Sequence, residues 1–293
     1  MSHTRISTIP VLQPRPREGH KGTFGKVLIV AGSVGMSGAA ILAGLAALRG
    51  GAGLVQLAVP FPIQPIVAAA QPCYMVVPLP ADEAGRLADA ALDLVLELAS
   101  RADAVVVGPG LGQNHAVAAL VRACLNRLSL PLVVDADALN VLGAHPSELA
   151  ARQAPFVLTP HPGEFARLID STPSLIGPHR EELAQAFVQR HGGVLVLKGA
   201  GTVVCDTSRL YVNTTGNPGM ATGGTGDVLA GLLGAFLAAG WNAFEAAVLG
   251  VHVHGLAGDL ARDAVGETAL IATDLLQMLP QALLACSASA SGP

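Results

Sequence analysis

Short apolar runs, each ended by Gly, Asp or Pro, are the feature that most constrains the fold of this 293-residue chain. An Ala/Leu-rich helical stretch usually follows each run within a few residues. Strands that are apolar at successive positions are typical of a parallel sheet covered by helices on both faces. The expected strands are Lys26–Ala31, Leu54–Ala58, Ala104–Val107, Leu132–Val134, Phe156–Leu158 and Val194–Leu197.

The last third of the chain has a different pattern. Tight turns join short runs that we expect to pair antiparallel: Leu195–Lys198, Thr202–Cys205 and Arg209–Val212. Three apolar helices are then expected over Asp227–Ala239, Ala243–Ala261 and Thr273–Leu284. The alternation of strands and helices predicts an α/β layer fold. Without a linker or repeat, we predict a single domain over residues 1–293, with a disordered tail at residues 287–293.

The composition first suggests the hypothesis of a membrane protein, because 51% of the residues are hydrophobic, 13% are charged and the mean hydropathy is +0.52. A membrane-spanning helix needs ~20 predominantly apolar residues. Prolines interrupt the uncharged run Gly50–Ala81, and the apolar run Val228–Trp241 is short for a span. The first residues, Met1–Pro16, contain no signal-peptide core. We therefore expect a cytoplasmic protein that does not enter a membrane.

Charge and cysteine content argue against three further classes of protein. The 17 Lys and Arg residues do not exceed the 21 Asp and Glu residues, which argues against nucleic-acid binding. High hydrophobicity with a net charge of -4 excludes general disorder. The four cysteines are far apart and form no CxxC pair, so a disulfide scaffold is excluded as well.

The glycine-rich segment Asn213–Asp227 runs directly into an apolar helix. The first turn of a helix presents free backbone N–H groups and the positive end of the helix dipole, which together bind anions. Asp227 alone could be an ordinary acidic helix-start residue, worth ~0.3–1 kcal/mol of stability. The many small residues around it, with Thr225 beside it, favour an anion hole with a positioned carboxylate base.

The known glycine-rich phosphate motifs do not account for this segment. The sequence has no G-x-x-x-x-G-K-[ST] pattern, and Gly108–Gly112 does not have the spacing of a dinucleotide-binding fingerprint. An enzyme that handles phosphate with this chain must therefore use another architecture.

Seven segments in order resemble the NAD(P)H-hydrate dehydratases of the ribokinase-like superfamily. They are His20–Gly25, Ala31–Ser33 with Met36–Ala39, Val107–Gly112, Asp135–Asn140, Leu158–Glu164, Leu197–Thr202 and Asn213–Asp227. Each segment is weakly specific, but the ordered set covers most of the chain. The resemblance implies a three-layer α/β/α fold with a mostly parallel central sheet. Larger members of the family carry an N-terminal epimerase domain, whereas this sequence begins almost at the kinase-like domain. It therefore resembles the stand-alone form.

This resemblance implies a repair reaction. NADH or NADPH hydrated on the nicotinamide ring (the S form of NADHX or NADPHX) is dehydrated at the expense of a nucleotide, with Mg²⁺. The ring hydroxyl is phosphorylated and phosphate is then eliminated, which replaces hydroxide with a better leaving group. Stand-alone bacterial members convert ADP to AMP and phosphate, whereas eukaryotic relatives use ATP.

The family motifs imply a role for each matching residue. Asp227 is the expected base, with the backbone N–H groups of Gly224, Thr225 and Gly226 around the transferring phosphoryl group. The nucleotide is expected at Lys198, Gly199, Ala200, Gly201, Thr202 and Gly226. From the residues alone, Lys198 could also be a surface lysine in a strand-end turn. The hydrated dinucleotide is expected at Ala39, Ala40, Gly110, Gly112, His161 and Asp227.

Other polar residues leave alternatives open. By resemblance, Glu164 organises Mg²⁺ through water, although it could simply cap a helix. Asp135 and Asp137 could reach the metal–phosphate region or cap the following helix. Further candidates are Lys21 and Arg49 for the substrate phosphates, and structural or surface roles for His252 and His254.

Two other functions compete with dehydration. A hydroxyethylthiazole-kinase-like enzyme would use the same anion hole to phosphorylate a small alcohol, but His20–Gly25 and Thr159–Glu164 favour the dehydratase. A non-catalytic nucleotide-binding protein is less favoured because Asp227 is intact. The apolar composition and the family both predict a homo-oligomer, a tetramer by resemblance, with a functional link to a hydrate epimerase.

Overall fold

One mostly parallel sheet runs through the part of the protein that the computed structural model describes, residues 3–143 and 146–288. Its strands are β1 (Thr4–Ile6), β2 (Lys26–Val30), β3 (Leu54–Pro60), β4 (Met75–Leu79), β5 (Ala104–Val107), β6 (Leu132–Val134), β7 (Phe156–Leu158), β8 (Val194–Leu197), β9 (Val203–Cys205) and β10 (Arg209–Val212). The strand order is β1-β10-β9-β8-β7-β6-β5-β2-β3-β4. Only β9 runs antiparallel to both of its neighbours, which confirms the predicted change of pattern.

Helices cover both faces of the sheet. They are α1 (Ser37–Arg49), α2 (Gln64–Ala70), α3 (Ala91–Ala99), α4 (His115–Arg127), α5 (Asp137–Leu142), α6 (Pro162–Leu168), α7 (Pro173–Ile176), α8 (Arg180–His191), α9 (Thr225–Ala238), α10 (Ala243–Val265) and α11 (Ala272–Ala285). One apolar core lies between the sheet and α1, α9, α10 and α11, and a second core lies between the sheet and α3 to α6 and α8. The predicted three-layer α/β/α class is therefore confirmed.

Strand β2 shows why its residues are apolar at successive positions. Val27 and Ile29 belong to one core, whereas Leu28 and Val30 belong to the other. Successive side chains of a strand point to opposite faces, so every side chain of a strand buried on both faces lies in an apolar core. The low charge of the chain follows from this arrangement.

Two strands were not predicted from the sequence. Strand β4 lies in the proline-rich part of the chain and itself contains Pro78. It is an edge strand, where a residue without an N–H group is tolerated. Strand β1 is at the other edge and pairs with β10, more than 200 residues further along the chain, so no local pattern predicts it.

The C-terminal helices begin within two residues of the predicted positions, and α10 extends four residues beyond its predicted end at Ala261. The expected disordered tail is corrected at its start, because Leu12 pairs with Ser287 and accepts a hydrogen bond from the N–H of Ala288. Residues 289–293 of that tail lie outside the described residues. Over the described residues, no helix is both long enough and apolar enough to cross a membrane.

Helix α9 is buried along almost its whole length, since every residue from Val228 to Ala238 is inaccessible or nearly so. It packs against α1 so closely that a Cβ on Gly231 would overlap the carbonyl oxygen of Ala43. This contact fixes the start of α9 at the carboxyl ends of the central strands, next to the loops described below.

Candidate active site

The loops that carry the conspicuous polar residues follow the carboxyl ends of adjacent strands. Gly108–Gly112 follow β5, Asp135 follows β6, Thr159–Glu164 follow β7 and Lys198–Thr202 follow β8. Ligands of open α/β sheets bind at this edge because the loops there converge. The sheet therefore brings together segments that are up to about ninety residues apart in the sequence.

A cavity of about 850 Å³ lies between the loops after β6, β7 and β8 and the start of α9. Of the residues singled out from the sequence, its lining includes Asp135, His161, Glu164, Lys198, Gly199, Ala200, Gly201, Thr202, Gly224, Thr225, Gly226 and Asp227. The size is that of a small-molecule site. The expected base, anion hole and nucleotide loop thus share one cavity.

The start of α9 has the local structure of an anion-binding site. Gly224 precedes the helix with φ of 95°, a left-handed conformation that glycine adopts without strain, and a Cβ there would lie 2.5 Å from Leu42 Cδ1. The Thr225 hydroxyl donates to the carbonyl oxygens of Met220 and Thr222, each at 3.1 Å, and so holds the loop rather than a ligand.

No side chain of the described residues caps the N-terminus of α9. The backbone N–H groups of Thr225, Gly226 and Asp227 are therefore left for a ligand at the positive end of the helix dipole. Such a terminus is suited to a phosphate group.

Asp227 is held in the first turn of α9, with an unusual proton affinity. Burial raises the pKa of Asp227 to about 7, and the negative charges of Asp135 and, to a smaller extent, Asp137 act in the same direction. The Lys198 ammonium group opposes this rise. A carboxylate with a pKa near neutrality is well matched to proton abstraction at physiological pH.

Lys198 forms a buried ion pair. Its Nζ donates to Asp135 Oδ1 at 2.9 Å, and the Thr159 hydroxyl donates to the same oxygen at 2.7 Å. Burial disfavours the charge of Lys198, but the carboxylates of Asp135 and Glu164 outweigh it and raise the lysine's pKa. With a side chain 20% exposed, Lys198 is not the surface lysine of the alternative interpretation.

The ammonium group of Lys198 also lies beside the anion-binding helix terminus. A Cβ on Gly226 would come within 3.3 Å of Lys198 Nζ. The absence of a side chain at Gly226 therefore lets a cation and a helix N-terminus face the same space.

Asp135 and Asp137 have separate partners because the residue between them has an unusual backbone. Ala136 has φ of 49° and ψ of -117°, a strained combination for a residue with a side chain. Asp135 turns to Lys198, whereas Asp137 Oδ2 accepts the N–H of Gly112 at 2.8 Å. Neither side chain caps α5, so the helix-capping alternative is wrong for both residues.

His161 and Glu164 cap helix α6 reciprocally. His161 Nδ1 accepts the N–H groups of Gly163 and Glu164 at 2.9 and 3.3 Å, and Glu164 Oε2 accepts the N–H of His161 at 2.8 Å. The capping interpretation of Glu164 is thus correct, but its carboxylate also lines the cavity. The imidazole of His161 is half-exposed, and its Nε2 lies 3.5 Å from Glu164 Oε1, so the two side chains also face each other directly.

The other expected substrate residues lie together, beyond the lining of this cavity. Ser33 Oγ donates to the Gly110 carbonyl at 2.8 Å, and a Cβ on Gly110 would come 2.8 Å from the Cβ of Ala39. These contacts join the loop after β2 to the loop after β5. Ala40 is corrected to a packing residue, because it is fully buried in the core beneath α1.

Lys21 and Arg49 are not brought to the site. Arg49 ends α1, ten residues and about 15 Å from Ala39 at a rise of 1.5 Å per residue. Lys21 packs against Gly53, just before β3 begins. Both residues therefore lie towards the amino ends of the strands, opposite the cavity.

A family model described as NAD(P)H-hydrate dehydratase matches residues 27–281. The chain belongs to the NAD(P)H-hydrate dehydratase family. Its fold is that of the ribokinase-like superfamily.

Individual relatives agree with this assignment. The chain is 37% identical to the ADP-dependent (S)-NAD(P)H-hydrate dehydratase of Xanthomonas campestris, over 96% of this chain and 97% of that one. It is similar to the solved ADP/ATP-dependent NAD(P)H-hydrate dehydratase of Bacillus subtilis co-crystallized with ATP/Mg²⁺. That match has a TM-score of 0.80 and 30% identity, over 94% of this chain and 95% of the other.

A third relative is longer. The bifunctional NAD(P)H-hydrate repair enzyme Nnr of Moorella thermoacetica is 45% identical over 93% of this chain but only 52% of its own length. The chain spans about half the length of several such bifunctional relatives.

From the sequence, only a structural or surface role is expected for His254, and none for Asp259. His254 lines the cavity, and its Nε2 lies 2.8 Å from the carbonyl oxygen of Thr225. Burial lowers the pKa of His254 to about 4, so the ring is neutral near pH 7 and donates from Nε2. Asp259 accepts the N–H of Gly216 at 2.9 Å and the amide of Asn217 at 3.1 Å, which holds the glycine-rich loop. Only tertiary structure identifies these partners.

Proposed function

We propose that this chain dehydrates the S forms of NADHX and NADPHX to NADH and NADPH, driven by conversion of ADP to AMP and phosphate. The observation that carries the proposal is a partly buried carboxylate, Asp227, in the first turn of a helix whose N-terminus is capped by no side chain of the described residues. Lys198 lies at the same terminus. The names of the two relatives that match over nearly their whole length support the hydrated dinucleotide as substrate and an adenine nucleotide as co-substrate.

In the first step, Asp227 accepts the proton of the ring hydroxyl as that oxygen attacks the terminal phosphorus of ADP. A bond forms between the hydroxyl oxygen and phosphorus, and the bond from phosphorus to the AMP oxygen breaks. The N–H groups at Gly224, Thr225 and Gly226 stabilise the charge on the transferring phosphoryl oxygens. Loss of one such preorganised donor typically costs a factor of ~10²–10³ in rate.

In the second step, the phosphorylated ring loses phosphate. The lone pair of the ring nitrogen assists cleavage of the carbon–oxygen bond, and the neighbouring carbon then loses a proton to solvent, which restores the double bond. Phosphate carries away the electrons of the broken bond, so no oxidant or reductant is needed. Phosphorylation is useful here because hydroxide itself is a poor leaving group.

The two substrates are proposed to bind at different sets of residues. The nucleotide is proposed at Lys198, Gly199, Ala200, Gly201, Thr202 and Gly226. The hydrated dinucleotide is proposed at Ala39, Gly110, Gly112, His161 and Asp227. The ammonium group of Lys198 balances phosphate charge, and the glycines let the nucleotide approach the backbone.

Mg²⁺ fits the donors at this site only together with the nucleotide. Among the described residues, no three His, Cys, Asp or Glu side chains are arranged to hold a metal ion. Mg²⁺ commonly keeps several waters and binds one or two carboxylates plus substrate phosphates. Glu164, which lines the cavity, would hold the ion through water, and the ion would neutralise phosphate charge.

The direct test is recovery of the reduced-nicotinamide absorbance. The purified protein is incubated with hydrated NADH or NADPH and Mg²⁺, with ADP or ATP in parallel reactions. We expect recovery with ADP, and formation of AMP in equal amount. No recovery with either nucleotide refutes the proposal, and phosphorylation of hydroxyethylthiazole in a parallel reaction would then favour the kinase alternative.

We also propose that the protein is a homo-oligomer, a tetramer, located in the cytoplasm. Each chain would form a single domain, and the protein would work together with a hydrate epimerase. Large apolar side chains support self-association, since Phe61, Ile66 and Leu284 are each more than half exposed. The bifunctional relatives support the functional link to an epimerase. Light scattering at micromolar concentration tests the assembly, and a clean monomer would contradict it.

A further inference from the structure

Arg180 holds the proposed nucleotide loop from the side that faces away from the cavity. This residue begins α8, and its Nη1 donates to the carbonyl oxygen of Ala200 at 2.8 Å. Its Nη2 donates to the carbonyl oxygens of Leu197 and Lys198 at 2.7 and 3.0 Å. One side chain therefore binds three of the four successive residues at the end of β8.

The loop needs support from this side because there is open space behind it. Ala200 and Gly201 line the main cavity and also a second groove of about 560 Å³ on the α8 side. Arg180 lines that second groove. The loop is thus a thin wall between two open spaces, and its backbone is not fixed by core packing on either side.

The fit between the guanidinium group and the loop is close. Gly199 has φ of 136°, and a Cβ on it would come 2.8 Å from Arg180 Nη1. The planar fork of arginine spreads its N–H donors over two terminal nitrogens in fixed directions, whereas the donors of lysine all radiate from one nitrogen and cannot span the same set of carbonyl oxygens. Both the glycine and the arginine are therefore needed for this arrangement.

A second arginine, the buried Arg152, shows what a purely structural role looks like. Arg152 donates to four carbonyl oxygens, of Cys124, Leu125, Leu128 and Leu130, at and after the end of α4. Neither Arg152 nor any of these four residues lines the cavity. The chain thus offers two arginines with the same kind of contact, only one of which holds a wall of the site.

We propose that Arg180 is a positioning residue for the adenine nucleotide, acting through the backbone of Lys198, Gly199 and Ala200. The inference rests on the nucleotide site of the proposed function. Arg180 touches the loop and not the cavity, so its loss should weaken nucleotide binding and leave the hydrated dinucleotide largely unaffected.

The test compares Arg180→Lys with the matched control Arg152→Lys. Each variant keeps its positive charge and loses the fork. Calorimetric titration with ADP gives the dissociation constant without any need for turnover, and the recovery assay gives separate KM values for ADP and for hydrated NADH. Thermal denaturation reports the structural cost of each substitution.

For Arg180→Lys we expect the Kd and KM of ADP to rise about tenfold, as loss of one or two charged hydrogen bonds predicts. The KM of hydrated NADH should stay within about twofold of the wild-type value. Arg152→Lys should lower the melting temperature and leave the Kd of ADP unchanged. Unchanged ADP binding in Arg180→Lys, or an equal rise in both KM values, would overturn the inference.

The two proposals fail in different ways. A wild-type protein that binds ADP but restores no NADH refutes the dehydratase activity, while the effect of Arg180→Lys on ADP binding still decides the inference. A wild-type protein that binds no adenine nucleotide overturns both.

Discussion

Single residues in this site depend on charges that share a small buried space. Asp227, Asp135 and Lys198 all line one cavity, and two of them form an ion pair. The pKa of Asp227 is raised by burial and by the neighbouring carboxylates. Substitutions that keep shape and remove charge therefore separate the roles of these residues.

Asp227→Asn should remove nearly all turnover and keep nucleotide binding. The amide has nearly the shape of the carboxylate, so the N–H groups at the start of α9 remain in place, but it cannot accept the substrate proton. We expect kcat to fall by at least ~10²-fold, the lower end of what general-base catalysis contributes. The measurement is the recovery assay beside ADP titration. Turnover close to the wild-type value would contradict the assignment of the base.

Asp135→Asn should shift the pH dependence of activity to lower pH. The base is active when deprotonated, so kcat/KM rises with pH through the pKa of Asp227, about 7 in the wild type. Removing the charge of Asp135 lowers that pKa, and we expect the midpoint to fall by about one unit. Asparagine can still accept from Thr159 and Lys198.

Asp137→Asn is the control for this shift, because Asp137 has a smaller effect on Asp227 than Asp135 does. We expect a shift in the same direction but smaller. A midpoint that stays fixed in both variants, or that moves to higher pH, would show that another group limits the reaction.

The sequence predicted those residues whose signal is local. Gly224, Gly226 and Asp227 stand at a glycine-rich helix start, and the anion-binding interpretation needs only that segment. Ala40 was wrongly expected to contact substrate, because motif matching does not show which residue of a helix is buried. The roles of Arg180 and His254 depend on partners far away in the sequence, which no local pattern reveals.

At the scale of elements, the contact between α1 and α9 positions the helix that carries the proposed base. Gly231 is the point of closest approach, where a Cβ would overlap the backbone of Ala43. The two helices must separate to accommodate any side chain, and the start of α9 would move with them.

Gly231→Ala should therefore destabilise the protein despite the higher helix propensity of alanine. We expect a loss of ~1–3 kcal/mol or more in the free energy of unfolding, as for other overpacked cores, together with lower activity. The control is Gly38→Ala in α1, where a Cβ meets nothing within 4 Å. That substitution should stabilise the protein by ~0.5–1 kcal/mol. Chemical denaturation measures both, and equal stability of the two variants would contradict the packing argument.

Strands were predictable where their hydrophobic pattern agrees with their position in the sheet. The central strands are buried on both faces, so their apolar runs are unbroken and their bounds come within a few residues of prediction. Strand β4 was missed because Pro78 argues against a strand, and the edge position that permits it is a property of the sheet. Strand β1 was missed because its partner β10 is distant in the sequence.

For the whole molecule, the proposed base Asp227 lowers stability when it is ionised. The pKa of Asp227 is about 7 in the folded state and ordinarily 3.8, so the folded protein binds a proton more tightly than the unfolded chain does. This contribution to stability is fully present below pH ~4 and is lost as pH rises through 7. An enzyme that works with Asp227 ionised therefore gives up some stability to keep its base.

Asp227→Asn removes this dependence and should make the whole protein more stable than the wild type at pH 8. A difference of about three pKa units sets an upper limit of ~4 kcal/mol, and the advantage should shrink steadily towards pH 5. Urea denaturation at pH 5, 6, 7 and 8 measures the difference, with Glu83→Gln at an exposed loop position as the control. The control should follow the wild type at every pH. A variant less stable than the wild type at pH 8 would show that burial does not strain the ionised carboxylate, and the proposed trade-off between base and stability would be wrong.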